Sequence, residues 1–420
     1  MIMIAVLGTF DTKGAEHAFV ADRIRQMGHC VLLIDVGTGE SPTIVPDITR
    51  DEVMRATTIN RGIAADSAGQ PRAPSTDRGE AIATMATAVS CFLRQLVDQR
   101  KIQGIISLGG SGGTALATTA MRALPLGFPK VMVSTMAGVN VASYVDVSDI
   151  VMIPSIVDIS GLNRISRDVF SRAAAVVVAL ANARPAIDHE SERSEKPLVV
   201  ASMFGNTTKC VEHAKLIIEA AGYEVLTFHA TGIGGRTMEA LIDSGEVAGV
   251  LDITTTEWAD QWVGGVMPGG PHRLEAAARR GVPAIVAPGC LDMVNFGERS
   301  NIPEKFRDRL FYEHNPQVTL MRTTADECTE IGRIIAEKLN QSKGEIRFLY
   351  PLKAISVISA NGQAFFDADA DSALLESIRK NLRADIPFEA VDCKINDPVF
   401  AKRCAEQLLD AMRCASATLA

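Results

Sequence analysis

The apolar positions of the first half alternate between short continuous runs and longer segments with helical spacing. Residues 2–7 form an unbroken apolar run, which is typical of a strand covered on both faces. Residues 14–27 repeat their apolar side chains at the period of a helix and end at Gly28. The same reasoning predicts strands at 31–36, 104–108 and 130–134 and helices at 78–100 and 114–123. Repeated strand–helix–strand units favour right-handed crossovers and a parallel sheet.

A second series of the same kind follows a polar, proline-bounded stretch at 184–197, which we interpret as a linker. It begins with a strand at 198–203, a helix at 207–221 and a strand at 224–228. Further predicted elements are a strand at 354–358 and helices at 334–339, 373–381 and 401–415.

The two series also share sequence at their start. Asp11–His17 (DTKGAEH) lines up with Thr207–His213 (TTKCVEH), and a glycine follows each of the two helices. We therefore predict an α/β fold of two doubly wound, Rossmann-like parallel-sheet domains, 1–183 and 198–420, related by duplication. The alternative is that any two doubly wound units share such spacing.

Composition narrows the class of protein. A chain of 420 residues exceeds what one core usually supports, and 47% hydrophobic residues suffice for two. The net charge is −8 without a Lys/Arg block, which argues against a nucleic-acid partner. The longest apolar stretch, 173–181, is too short to span a bilayer, and the apolar N-terminus has no basic flank, so we predict a cytoplasmic protein with no membrane partner. The eight cysteines show no metal-like spacing, and no metal site is predicted.

A glycine-rich loop between a predicted strand and a predicted helix is the strongest local signal. Glycines let a ligand approach the backbone closely, and the N–H groups of a helix start suit phosphate. Tight packing of the helix on the sheet is the alternative explanation of such a loop. The residues concerned are Gly109, Gly110, Ser111, Gly112, Gly113 and Thr114.

The loop after the first strand is a second candidate for the same ligand. Ligands of open parallel sheets bind at the carboxyl ends of strands near the switch point, so the two loops are expected to face one crevice. Lys13 would pair with phosphate, and Asp11 would accept from a ribose or hold Mg²⁺ through water; Asp11 or Thr12 would equally cap the helix. The loop comprises Gly8, Thr9, Phe10, Asp11, Thr12 and Lys13.

Polar side chains follow three strands of the second half and suggest a catalytic or binding site there. His229 and Arg236 flank a glycine-rich turn. Glu257 is the last residue of a Thr-Thr-Thr-Glu sequence at the end of a strand, and Asp292 follows Pro-Gly-Cys-Leu. Arg236 would anchor a carboxylate or phosphate, and His229 or Glu257 would act as acid or base. Taken singly, His229 is compatible with a buried structural histidine, Glu257 with a solvated helix start and Asp292 with a cap.

Together these motifs resemble the Tm-one-like ATP-binding domain family over essentially the whole chain. The matching segments are Gly8–Lys13, Gly109–Thr114, His229–Arg236, Thr254–Glu257 and Asp292–Gly297. The resemblance implies a two-domain α/β fold, ATP bound in the first domain and a homodimer.

Three hypotheses about function follow. The first is an ATP-dependent or ATP-regulated enzyme, with ATP, alone or together with Mg²⁺, in the first domain and a small anionic metabolite in the second. The second is a non-catalytic nucleotide-binding module that interacts with another protein. The third is a cofactor-independent lyase or hydrolase that uses only the second domain.

Overall fold

The computed structural model of the protein describes residues 1–61, 78–138, 141–187 and 196–419. The chain divides into two compact units, Met1–Arg193 and Ser194–Ala420. Most of the stretch interpreted as a linker, residues 188–195, lies outside the described residues, whereas 184–187 still belong to a helix.

Unit 1 is built from strands and helices that alternate along the chain. Its strands are β1 (Met3–Gly8), β2 (Cys30–Asp35), β3 (Gly104–Gly109), β4 (Lys130–Ser134) and β5 (Val151–Pro154). Its helices are α1 (Phe10–Gln26), α2 (Arg50–Arg61), α3 (Arg78–Asp98), α4 (Ser111–Arg122), α5 (Ala142–Val145) and α6 (Arg164–Ile187).

Unit 2 continues the alternation and adds a small antiparallel sheet. Its strands are β6 (Leu198–Met203), β7 (Glu224–His229), β8 (Val247–Thr254), β9 (Ala284–Gly289), β10 (Met293–Phe296), β11 (Phe311–Asn315), β12 (Val318–Arg322), β13 (Ile346–Pro351) and β14 (Phe388–Val391). Its helices are α7 (Thr208–Ala220), α8 (Ile233–Ser244), α9 (Glu257–Val263), α10 (Ala276–Arg280), α11 (Ala325–Leu339), α12 (Ala368–Asn381) and α13 (Pro398–Leu419), with short 3-10 turns at Arg299–Asn301 and Glu304–Phe306.

The five strands of the first main sheet recur in the same order in the second, which carries β14 as a sixth strand at one edge. This confirms the predicted α/β fold of two doubly wound, Rossmann-like domains, and a duplication would produce such a repeat. The strands of unit 1 lie in the order β2-β1-β3-β4-β5, and those of unit 2 in the order β7-β6-β8-β9-β13-β14. Every pairing in both sheets is parallel. In each sheet the first strand pairs with the second on one side and with the third on the other, so the order in which strands are added reverses there and leaves a crevice at the strand ends.

Both faces of each main sheet are covered by helices. In β1, Ala5 and Leu7 pack with α3 and α4, whereas Ile4 and Val6 pack with α1 and α6. The continuous apolar runs seen in the sequence follow from this, because a strand buried on both faces gains from apolar side chains at every position.

One predicted strand is wrong. Residues 354–358 form turns with a single bridge at Ala354, and the strand of this region is β13, which lies earlier in the chain. The Ser359 hydroxyl accepts the backbone N–H groups of Ile355 and Ser356 at 3.1 Å each, so these groups are used locally instead of in a sheet. The antiparallel sheet β10-β12-β11, inserted between β9 and β13, carried no signal that we recognised.

Candidate functional site

A cavity of about 610 Å³ opens in unit 1 at the carboxyl ends of β1 and β3, where the strand order reverses. Its walls come from both candidate loops and from the segment after β2, and apolar side chains of α3 and α4 close one side. The lining residues are Thr9, Asp11, Thr12, Lys13, Thr38, Gly39, Glu40, Ala81, Ile82, Gly110, Ser111, Gly112, Gly113 and Leu116. The structure therefore brings together two loops that lie far apart in the sequence of unit 1.

The glycines of the second loop serve two different purposes. A Cβ at Gly109 would lie 2.9 Å from the backbone carbon of Gly113, so this glycine permits the close packing of strand and helix. At Gly110, Gly112 and Gly113 a Cβ would meet no atom closer than 3.7 Å, and none of the three has a positive φ. Packing and backbone strain thus account for Gly109 alone, and the other three keep the cavity wall free of side chains.

The start of α4 supplies hydrogen-bond donors to this wall. Gly110 is the N-cap in an extended conformation, and it offers no side chain to the first turn. Within the described residues, the amides of Ser111, Gly112 and Gly113 meet no protein acceptor, as expected for the first turn of a helix, whereas Thr114 N–H bonds Gly110 C=O at 2.8 Å. Three amide donors at the positive end of a helix dipole favour an anion.

The first loop presents polar side chains to the same cavity. Asp11 is half-buried, and its Oδ2 accepts the N–H of Gly39 at 2.9 Å, which ties α1 to the segment after β2. The Lys13 ammonium donates to the Ile159 carbonyl, so it lies at the rim of the cavity with its position fixed. Thr9 and Thr12 contact each other through their hydroxyls at 3.3 Å and do not cap α1.

Three other residues predicted for this site lie in the core. Phe10 is fully buried against the apolar face of α6, and the Thr114 hydroxyl bonds Ser134 Oγ at 2.6 Å beneath the glycine loop. Gly8 is buried as well, and a Cβ there would fall 2.1 Å from the imidazole of His17. These three residues support the loops and do not line the cavity.

Asp35, which we did not single out, holds the first loop in place from the end of β2. It is buried and accepts the N–H groups of Phe10 at 3.1 Å and Gly37 at 3.0 Å, and it pairs with Arg50 at 2.9 Å. An acidic residue after the second strand binds the ribose in Rossmann dinucleotide sites. Here that carboxylate is fully occupied by the protein, so the arrangement differs from a dinucleotide site.

The acidic groups at the cavity suit a metal only together with phosphate. Among residues that the structure describes, no cluster of three or more His, Cys, Asp or Glu could hold a metal ion. Asp11 and Glu40 both line the cavity, and Mg²⁺ is commonly bound by one or two carboxylates plus nucleotide phosphates.

A second, shallower cavity of about 480 Å³ lies along the same sheet edge, over β4 and β5. Its wall includes Ile156, which has φ +66° and is 73% exposed, an unusual conformation for a β-branched residue. The residues on either side of Ile156 are joined by a hydrogen bond of 2.7 Å from the Val157 N–H to the Ser155 carbonyl, which makes a strained γ-turn.

The four residues predicted as catalytic in unit 2 do not meet at one open site. His229 is exposed and lies 5.2 Å from the Phe204 ring, and Arg236 is half-buried with its Nε 3.4 Å from the Gly232 carbonyl. Glu257 and Asp292 are fully buried. The Asp292 carboxylate accepts from Ser356 Oγ at 2.7 Å, and burial, opposed by the charge of Arg322, raises its pKa.

Glu257 belongs to a buried ionic network around Arg273. The Arg273 guanidinium donates to Glu257 at 2.7 Å, to Asp252 at 2.5 and 2.7 Å, and to Glu239 at 3.1 Å. Glu257 Oε1 also accepts the N–H groups of Gly232 at 2.6 Å and Gly235 at 3.1 Å at the start of α8. Three carboxylates face one guanidinium, and burial raises the pKa of Glu239. Arg273 follows a glycine- and proline-rich turn in the sequence, and no local pattern marked it.

The family of the chain follows from sequence models that match both units. The model described as the N-terminal domain of the uncharacterised protein family UPF0261 matches residues 2–186, and the model of its C-terminal domain matches residues 196–412. The chain belongs to the UPF0261 family.

Relatives of known sequence match nearly the whole length of the UPF0261 chain. A UPF0261 protein of Clostridium tetani is 45% identical over 97% of this chain and 98% of its own length. The ToMV resistance protein Tm-1(GCR237) of Solanum lycopersicum is 38% identical over 96% of this chain but only 55% of its own length. The resemblance to the Tm-one-like family inferred from the motifs is thereby confirmed.

Solved structures resemble the UPF0261 chain only distantly. The UDP-N-acetylglucosamine 2-epimerase of Rickettsia bellii aligns with 67% of this chain and 78% of its own at 12% identity, with a TM-score of 0.21. A likeness of this size carries no argument about the site. Over the described part of the UPF0261 chain, no helix has the length and apolar character needed to cross a membrane.

Asp260 gives unit 2 of this UPF0261 protein a testable pH dependence. Its buried carboxylate accepts the backbone N–H of Asn295 at 2.6 Å and the side-chain amide at 2.7 Å, and burial, partly offset by these bonds, raises its pKa to about 7. A raised pKa means that the neutral acid favours the fold, so its stabilisation is complete below about pH 4 and is lost as the pH rises to about 7.

We expect Asp260→Asn to stabilise the protein by about 2 kcal/mol more at pH 8 than at pH 5, because the carboxylate is charged in the folded protein only at the higher pH. The Asn oxygen would keep the backbone bond, and its amide would donate to Asn295 Oδ1, which has no partner among the described groups. Urea unfolding at both pH values measures the effect. Equal changes at pH 5 and pH 8 would show that Asp260 does not titrate in this range.

Proposed function

We propose that the protein binds ATP, with Mg²⁺, in the cavity of unit 1. The observation that carries this proposal is the wall formed by Gly110, Gly112 and Gly113, three glycines that neither packing nor a positive φ explains. Backbone that lacks side chains and presents free amides is how proteins bring phosphates close to a helix start.

The shape and charge of the cavity support the same ligand. The starts of α1 and α4 both contribute to its lining, so two helix dipoles favour negative charge there. Ala81, Ile82 and Leu116 offer an apolar surface of the kind that a nucleobase contacts. A volume of about 610 Å³ lies within the usual range for small-molecule sites.

The residues present fit a magnesium ion bound through the nucleotide. Asp11 and Glu40 would hold the ion from the side of the first loop, and the ion would neutralise phosphate charge. Asp11 is positioned for this by its bond from Gly39 N–H, which leaves its other carboxylate oxygen with only a 3.4 Å contact from Thr12.

Binding is the part of the function that the geometry supports. The predicted acid–base residues of unit 2 include Glu257 and Asp292, which are buried within hydrogen-bond networks, so neither reaches a substrate in this conformation. An ATP-dependent enzyme acting on a small anionic metabolite and an ATP-binding module with a protein partner both begin with this binding step. ATP turnover, measured with and without candidate metabolites, separates the two.

We expect isothermal titration to show ATP binding that strengthens about tenfold on addition of Mg²⁺. In Asp11→Asn, the side-chain oxygen keeps the bond from Gly39 while the charge is lost, so ATP alone should bind with unchanged or slightly higher affinity. The gain from Mg²⁺ should fall to about threefold or less, since one anionic ligand of the ion is removed.

The matched control is Asp22→Asn, which removes an exposed carboxylate further along α1 and should leave both titrations unchanged. If the folded protein shows no binding of ATP–Mg²⁺ at concentrations up to about 1 mM, the proposal is wrong (a Kd of about 1 mM corresponds to roughly 4 kcal/mol of binding free energy).

A further inference from the structure

The buried imidazole of His17 joins the two loops of the cavity from beneath. His17 lies on α1, is fully buried and packs its ring 5.4 Å from that of Phe10. Its Nδ1 lies 2.7 Å from the Lys13 carbonyl, and its Nε2 lies 3.3 Å from the backbone nitrogen of Leu108. The first contact belongs to the first loop, and the second belongs to the strand that leads into the glycine loop.

The two contacts fix the protonation of the ring. A carbonyl can only accept, so Nδ1 carries the hydrogen, and Nε2 must then accept the Leu108 N–H. Burial, only partly opposed by the Lys13 carbonyl and the Glu16 charge, lowers the pKa of His17 to about 4, so the ring is neutral at physiological pH.

The ring occupies the place where β1 and β3 separate. The last paired residues of these strands are Leu7 and Ser107, and the imidazole takes the N–H of the next residue, Leu108. At the same level in β1 stands Gly8, where any Cβ would fall 2.1 Å from Nε2. The glycine that we assigned to the ligand is therefore required by the histidine.

The bond to Lys13 also coincides with a break in α1. Lys13 has φ −132° and ψ 29°, outside the helical range, although the helix continues on both sides. The carbonyl that His17 holds thus belongs to the residue at which the first turn, carrying Asp11 and Thr12, changes direction.

We propose that His17 is a positioning residue of the nucleotide cavity, which ties the first turn of α1 to the strand end before the glycine loop so that both loops are held in register for one ligand. The proposal rests on nucleotide binding in unit 1. It assigns His17 no contact with the ligand and no proton transfer.

Two substitutions separate the two bonds of the ring. In His17→Asn the amide nitrogen takes the place of Nδ1 and keeps the Lys13 bond, while the acceptor for Leu108 is lost. In His17→Gln the side-chain oxygen reaches the place of Nε2 and keeps the Leu108 bond, while the Lys13 bond is lost. We expect each variant to bind ATP–Mg²⁺ at least tenfold more weakly in calorimetry, with a thermal midpoint within a few degrees of the wild-type protein.

The control is His213→Asn, an exposed histidine on α7, which should bind as the wild-type protein does. Gly8→Ala should lose affinity because of its clash with the ring, and adding it to His17→Asn should cost little more, since the shorter side chain leaves room. Wild-type affinity in folded His17→Asn and His17→Gln would overturn the proposal.

Amide hydrogen exchange keeps the test independent of the proposed function. If the wild-type protein binds no ATP, the proposed function fails, yet His17→Asn should still speed exchange at Leu108 and at Thr114, whose N–H groups are hydrogen-bonded, while distant strands of unit 2 stay protected. Unchanged exchange in these loops would refute the positioning role by itself.

Discussion

Gly112→Val should abolish ATP binding while leaving unit 1 folded. A Cβ at this position would meet only Ile82 Cδ1, at 3.7 Å, so the backbone tolerates a side chain there. Valine is also no worse than glycine within a helix. Its two methyl groups would extend into the cavity and cover the amides of the first turn of α4. We expect at least a hundredfold loss of affinity, and a free energy of unfolding within about 1 kcal/mol of the wild-type value.

Gly109→Ala is the matched control, and we expect this variant to lose stability. Its Cβ would lie 2.9 Å from the carbon and 3.0 Å from the Cα of Gly113, so strand and helix must move apart. Overpacking of this kind costs about 1–3 kcal/mol. Urea unfolding and ATP titration of both variants distinguish the two roles of glycine. Binding by Gly112→Val with normal affinity would place the nucleotide elsewhere.

Arg273→Met should strongly destabilise unit 2. It leaves Glu239, Asp252 and Glu257 buried beside one another without their common cation. Removing one partner of a buried ionic network typically costs about 3–5 kcal/mol, because the remaining charges stay desolvated. Urea unfolding at pH 7 measures the loss, and part of it should return at pH 5, where the stranded carboxylates take up protons.

Arg279→Met provides the comparison on the same segment. Arg279 pairs with Asp243 at 2.7 Å and with Glu275 at 3.1 Å, but the pair with Asp243 is nearly half exposed on both sides. Exposed ion pairs contribute at most about 1 kcal/mol, so this variant should remain near wild-type stability. Equal losses in the two variants would show that the Arg273 network is no more important than a surface pair.

Glu257 has a structural role in this network. Its position after a strand, preceded by three threonines, suggested an acid–base residue in the sequence. In the structure its oxygens are taken by Arg273 and by the amides of Gly232 and Gly235. The same residue pattern fits a carboxylate that holds the start of α8 and the turn before α10 together.

Much of the fold was predictable because it depends on local patterns. The runs of apolar residues at β1, β3 and β6 require strands covered on both faces, and the helical spacing between them requires crossovers. The predictions failed where local polar groups compete with a sheet, as at Ser359, and where antiparallel strands such as β11 are short and mostly exposed.

The sequence by itself determined that unit 1 carries two polar loops at strand ends and that the units repeat one topology. Strand alternation and glycine content are local properties, and parallel pairing follows from the crossover between consecutive strands, whereas the order of the strands is known only from the structure. Only the tertiary structure decided which glycines face open space, since that depends on the distance from Gly109 to Gly113 and from Gly112 to Ile82. It also decided that His17 lies between the loops and that Arg273 gathers three carboxylates, because burial and partner distance join residues far apart in the chain.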